Sequence, residues 1–282
     1  MDIILKKLNI KRMKYCLVAL LLAGATACNS PSSSTPSLNP THINPVPKTS
    51  PPVNITGAVG IVWNGPGACT DGCIQGAADA VTGAGFTVRY VNEQTPTTSP
   101  ENLAAIFLNA KVWVMPGGHS NKEVGAMTPA LITALQQFIS NGGGYVGWCA
   151  GSFAATAKIG TTGLTGLGIF PGDTIPYITK SEQNAYGGSI EKLTWMNDTH
   201  YFYLEGGSYM TNLPSSVEVI SRYDDQVSVA AARTTYGNGR VYLSGVHPEA
   251  PTWWWTGTGI VDPDGSDQAY AIEMIKWSAH LE

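Results

Sequence analysis

The chain has 282 residues, 43% of them hydrophobic, and its 16 Lys and Arg against 20 Asp and Glu give a formal charge of −4. That composition is enough to bury a full core in one domain with tails, and it excludes a disordered chain. Basic residues cluster only in the first fourteen positions, which argues against a nucleic-acid partner.

Lys6, Lys7, Lys11, Arg12 and Lys14 make a basic start, Leu17 to Ala23 a short apolar core, and Ala25-Thr26-Ala27 a small-residue cleavage site. This is the layout of a secretory signal over residues 1–27, too short in its apolar part to span a membrane. Met13 offers an alternative start, because the segment that follows it is a complete signal. Cys28 stands directly after the cleavage site, so the segment resembles a bacterial lipoprotein signal, although Ala25 occupies the position where Leu is commonest. Lipidation of Cys28 would anchor the chain in the bacterial cell envelope, the acyl chains contributing about 0.8 kcal/mol per buried CH₂. Plain secretion predicts the same cut and leaves a free thiol on a soluble periplasmic or secreted protein. Cleavage removes five basic residues and Asp2, taking the formal charge from −4 to −8. Residues 28–52 hold seven prolines and a single formal charge, Lys48, and the stretch 28–56 reads as an extended Pro/Ser-rich tether.

The domain follows over residues 57–282. Ala58 to Trp63 is an apolar run that predicts a first strand, Asn64 to Gly72 a glycine-rich loop, and Ile74 to Ala84 a helix. The loop, containing GPGACTDG, matches neither a dinucleotide fingerprint nor a phosphate-binding loop. Cys69 and Cys73 sit in it. An oxidising compartment permits a disulfide between them, closing a small loop, and no second Cys or His pair lies nearby in the sequence to make a metal site. Phe86 to Val91 predicts a strand, Glu101 to Leu108 a helix, and the stretch from Val112 another strand, leading into Pro116-Gly117-Gly118-His119. Pro129 to Ser140 carries Leu131, Ile132, Leu135, Phe138 and Ile139 at helical spacing, with Gly142 as a stop.

Gly144 to Trp148 then reads as a short buried strand, and Ser152 to Ala157 as small, helix-compatible sequence. Between them, Gly147-Trp148-Cys149-Ala150-Gly151 has the G-x-nucleophile-x-G form of a nucleophile elbow with Cys in place of Ser. Such a turn leaves the thiol at a helix N-terminus, where dipole and free N–H groups favour the reactive thiolate. It also aims the Ala150 N–H at a developing oxyanion. A buried structural thiol in a tight glycine turn is the competing reading.

The segment Gly163 to Ser208 is glycine- and aromatic-rich and less legible. Beyond it, strands are predicted at Tyr201 to Leu204, Val217 to Tyr223, Val227 to Ala232 and Arg240 to Ser244, the last two joined by a hairpin turn at Tyr236 to Gly239. His247 and Glu249 follow the last strand. Trp253, Trp254 and Trp255 either pack a loop against the final helix, Asp267 to His280, or wall an active-site mouth for a sugar ring or peptide. His119 stands beside the glycine loop as a surface or substrate-facing residue, while His42, His200 and His280 read as structural or solvated. Alternating helices and strands define an α/β class. A Cys, a His and a carboxylate, each just past the C-terminal end of a strand, can converge at the carboxyl edge of one parallel sheet.

The GPGA of Gly65 to Ala68, the MPGG of Met115 to Gly118, the GGGYVGWCAGSF of Gly142 to Phe153 and the SGVHPE of Ser244 to Glu249 resemble the N-terminal domain of biotin–protein ligase and its stand-alone bacterial relatives. These lie within the class I glutamine amidotransferase-like superfamily, and the likeness runs from about Gly57 to Glu282. The resemblance implies a three-layer, mostly parallel, flavodoxin-like sheet with appended antiparallel strands. It implies Cys149 as nucleophile, His247 as its base and Glu249 as the group orienting the imidazole, with Gly117, Gly118 and Ala150 around the oxyanion. Amidotransferases carry Gln a few residues after the Cys; here the segment is Ala150-Gly151-Ser152-Phe153, which speaks against glutaminase activity. No ligase catalytic segment is read in these residues, so biotin ligation by this chain alone is not expected.

Three functions compete. One is a Cys-dependent hydrolase or transferase acting on an amide or γ-glutamyl-type bond of a small-molecule or peptide substrate, without cofactor or metal. The second is a non-catalytic binding domain that keeps the three residues. The third is a redox-sensitive thiol protein. The redox relatives of this superfamily carry His directly after the Cys and an acidic residue near the first strand, and both features are missing here.

Overall fold

The computed structural model describes residues 57–178 and 187–282, all within the compact unit Pro45–Glu282. The signal over 1–27, Cys28, His42 and the 28–56 tether lie outside the described residues.

Nine described strands run across one sheet in the order β2 (Thr87–Val91), β1 (Val59–Trp63), β3 (Ala110–Met115), β4 (Gly144–Trp148), β11 (Gly239–Ser244), β10 (Val229–Tyr236), β9 (Glu218–Tyr223), β6 (Ser189–Trp195) and β7 (Asp198–Leu204). The pairings from β2 to β11 are parallel, and those from β11 to β7 antiparallel. Off this path, β5 (Asp173–Pro176) pairs with β8 (Ser208–Thr211), which touches β10. The fold is the expected α/β class: a largely parallel central sheet with antiparallel strands appended.

The strands β1 and β4 are buried at every residue, because both faces are covered. On one face Val62, Val114, Val146 and Tyr242 pack against α1 (Cys73–Gly83) and α6 (Gln268–Ser278) through Ala77, Val81, Met274 and Ile275. On the other, Trp113, Met115, Tyr145 and Leu243 pack with α2 (Pro100–Phe107), α3 (Ser120–Ala126), α4 (Pro129–Ser140) and α5 (Ala150–Ala155). The helix α4 illustrates how local sequence fixes an element. Thr128 caps it by accepting from the Leu131 N–H, Pro129 supplies a preset first turn, and Leu131, Leu135 and Ile139 form its buried stripe.

Four elements differ from expectation. The helix α3 follows His119 directly, where SNKEVGA has too few apolar residues to show a period. The short strands β5, β6 and β8 fall in the glycine-rich middle, where only alternate residues are buried. Among the described residues no helix is long and apolar enough to cross a membrane.

Candidate functional site

The site forms at the carboxyl ends of β3, β4 and β11, where the parallel half of the sheet meets the antiparallel half. Cys149 joins β4 to α5 with φ 48° and ψ −108°, a backbone conformation that a side-chain-bearing residue rarely adopts. The flanking glycines are required by close approach. A Cβ on Gly147 would lie 2.4 Å from the Gly151 carbonyl oxygen, and one on Gly151 would lie 2.2 Å from that of Met115. The Cys149 N–H donates to the Ser244 carbonyl at 2.9 Å, tying the turn to the end of β11. The thiol, on a residue only 5% exposed, donates to the Glu205 carbonyl oxygen at 3.4 Å. The helix α5 has six residues, fewer than two turns, so its dipole offers less to a thiolate than a long helix would.

His247 lies three residues beyond β11, held by its N–H donating to the Tyr203 carbonyl at 2.8 Å. Its Nδ1 meets Glu249 Oε1 at 2.9 Å, with both side chains buried. Burial pushes the imidazole's pKa down, but the charges of Glu249 and Cys149 and hydrogen bonding to both overcome it and raise the pKa well above its ordinary 6.5. Cys149, His247 and Glu249 are thus brought together in chain order around one imidazole.

The loop Pro116–Gly118 ends β3 beside this group. The position of a Cβ on Gly117 lies 2.5 Å from His247 Cε1, so only glycine fits there. Gly118 forms a β-bridge with Ala68 of the glycine-rich loop, and Ala150 opens α5. Cys69 and Cys73 are joined by a disulfide with Cα atoms 5.4 Å apart. Cys149 is the free thiol among the described cysteines. His119 is exposed and precedes α3. Among the described residues no group of three or more His, Cys, Asp or Glu is placed to hold a metal ion.

The tryptophan run divides its work. Trp255 stacks on Tyr203 at 5.5 Å between centroids, Trp254 sits edge-on to His247 at 5.3 Å, and Trp253 is 58% exposed. Tyr203 and the Glu205 carbonyl were not legible as site residues. The first reads as one more aromatic of a buried strand, and the second acts through its backbone, which side-chain chemistry does not mark. Tyr203 donates its hydroxyl to Glu205 Oε2 at 2.8 Å and so braces the turn that contacts the thiol.

A largely parallel sheet with antiparallel strands appended is the fold of glutamine amidotransferase-like structures. A crystal structure of a glutamine amidotransferase superposes with a TM-score of 0.54 at 17% identity, covering 78% of this chain and 99% of that one. A cytoplasmic protein from Salmonella typhimurium LT2 superposes with a TM-score of 0.52 at 12% identity, covering 77% of this chain and 98% of its own. At such identities these likenesses show the fold. The chain is also similar to biotin–protein ligase, whose N-terminal family matches residues 60–163. The biotin–protein ligase of Schizosaccharomyces pombe (strain 972) is 28% identical over 217 residues, covering 70% of this chain. This chain spans about a third of the length of that relative.

Proposed function

We propose that this protein is a Cys-dependent hydrolase or transferase acting on an amide or γ-glutamyl-type bond. The observation that carries the reading is the positive-φ elbow at Cys149 beside an imidazole whose other side meets a buried carboxylate at 2.9 Å. In this mechanism the Cys149 thiolate attacks the carbonyl carbon, and the oxygen takes the charge beside the Ala150 N–H and the Gly117–Gly118 loop. Collapse of the tetrahedral intermediate breaks the C–N bond, and His247, protonated and steadied by Glu249, gives its proton to the leaving amine. Water or an acceptor amine then attacks the thioester, restoring the thiol.

A small chloroacetamide probe tests this directly. Peptide mass spectrometry should show Cys149 alkylated at neutral pH about ten times faster than free cysteine, with the rate falling in His247→Ala. Slow labelling that ignores His247 would favour the binding-domain reading.

We further propose that the mature chain begins at Cys28 and is held at the bacterial envelope by lipid on that residue, the tether giving the domain reach. The signal-like residues 1–27 and the position of Cys28 support this. Mass spectrometry of the membrane fraction should yield an acylated Cys28 peptide. An unmodified Cys28 in the soluble fraction would leave plain secretion.

A further inference from the structure

Resting on the catalytic reading above, we infer that the Cys69–Cys73 disulfide is a positioning element of the Cys149 site, so that its reduction loosens that site. The bridge is more than a staple within one loop. Cys73 Sγ lies 3.1 Å from the point a Cβ on Gly117 would occupy, and His247 Cε1 lies 2.5 Å from the same point. The disulfide sulfur and the imidazole therefore press on the oxyanion loop from one side. The Cys69 N–H donates to the Gly117 carbonyl oxygen at 2.9 Å, and the His119 N–H donates to that of Gly67 at 2.8 Å. With the Ala68–Gly118 bridge between them, these contacts run the loop holding Cys69 alongside Gly117 to His119 like a short two-stranded clasp. Three residues beyond Cys73, Gly76 of α1 faces the backbone of Glu249, its missing Cβ 2.5 Å from that carbonyl oxygen. The bridge thus fixes the start of α1 between the oxyanion loop and the carboxylate that orients His247.

The chemistry of opening follows from exposure. Cys69 is partly exposed and Cys73 is 3% exposed, so an attacking thiolate meets the Cys69 sulfur. A dithiol reductant forms a mixed disulfide there, and Cys73 leaves as a thiolate at the first residue of the eleven-residue α1. The reductant's second thiol closes its own disulfide and releases Cys69. Two electrons and two protons pass from the dithiol to Cys69 and Cys73, and the covalent link between the loop at Cys69 and the first residue of α1 is gone.

The test compares the bridged protein with the paired substitution Cys69→Ser and Cys73→Ser. Cys149 alkylation by the chloroacetamide probe is followed against pH, and thermal unfolding is recorded in parallel. Among the described residues, Cys149 and His247 face each other, Glu249 and the ring of Tyr203, with Glu205 meeting the thiol through its carbonyl. If the bridge positions them, Cys149 labelling at neutral pH falls about tenfold in the substituted protein and the midpoint of its pH profile moves. A bridge that is only a fold cross-link lowers the unfolding temperature and leaves rate and midpoint at the bridged values, which overturns the inference. Should the paired substitution fail to fold, the bridged protein is treated with dithiothreitol at a temperature where its near-ultraviolet dichroism is retained, and the Cys149 peptide is quantified. Unchanged labelling of that peptide overturns the inference equally. The two readings fail separately. Activated, His247-dependent labelling that ignores the bridge sinks only this one, whereas a Cys149 unactivated in the bridged protein sinks both.

Discussion

Glu249→Gln is expected to slow Cys149 labelling at neutral pH by about tenfold or more, because each pKa unit lost by His247 removes about 1.4 kcal/mol of preference for the imidazolium. Glu249 meets His247 Nδ1 at 2.9 Å, and its charge opposes the effect of burial and holds that imidazole protonated. Gln keeps the shape and an oxygen to accept the Nδ1 proton, so the fold is retained while the charge is lost. The same change has a signature in stability. A group whose pKa rises on folding stabilises the fold fully below its ordinary value, here 6.5, and that contribution is lost as pH climbs through the raised value. The wild type should therefore lose thermal stability on the alkaline side of 6.5, and Glu249→Gln should show a flatter profile there. Identical labelling rates and identical pH profiles in the two proteins would mean that the buried pair is not holding the proton.

The second large effect is on the fold. Gly151→Ala should destabilise the protein by about 3 kcal/mol or more, because the added methyl meets a backbone oxygen rather than a side chain that can swing aside. That oxygen belongs to Met115 at the end of β3, 2.2 Å from the new carbon and buried in the middle of the sheet. The expected fall in unfolding temperature is about 6–12 °C for a domain of this size. Gly125→Ala is the control: it lies in α3 with nothing within 4 Å of the added carbon, and helix propensity makes it neutral or slightly stabilising. Equal stability of the two variants would show that the elbow yields readily.

What could be read from the sequence follows from how much each residue must do locally. The strands β1 and β4 are covered on both faces, so VGIVW and GYVGW announce themselves as unbroken apolar runs, and α4 shows its buried stripe at helical spacing. Gly147, Cys149 and Gly151 were legible because a strained turn dictates its own residue types. The segment over β5, β6 and β8 was not, since its strands are short and partly exposed. Glu205 contributes a carbonyl, Tyr203 a brace, and the contact of Cys73 with the Gly117 loop depends on a chain crossing 44 residues away. Such contributions belong to tertiary placement and leave no local trace.

The strand β11 joins the sheet late in the sequence. It pairs in parallel with β4, Arg240 beside Gly144 through Ser244 beside Trp148, yet it is made almost a hundred residues later. Until that pairing forms, β4 has an open, apolar edge on this side, with Cys149 at its tip. Unpaired edges of this kind recruit other chains, and long-range parallel pairing is slow to form. Closing β11 onto β4 is therefore the long-range step that removes this edge.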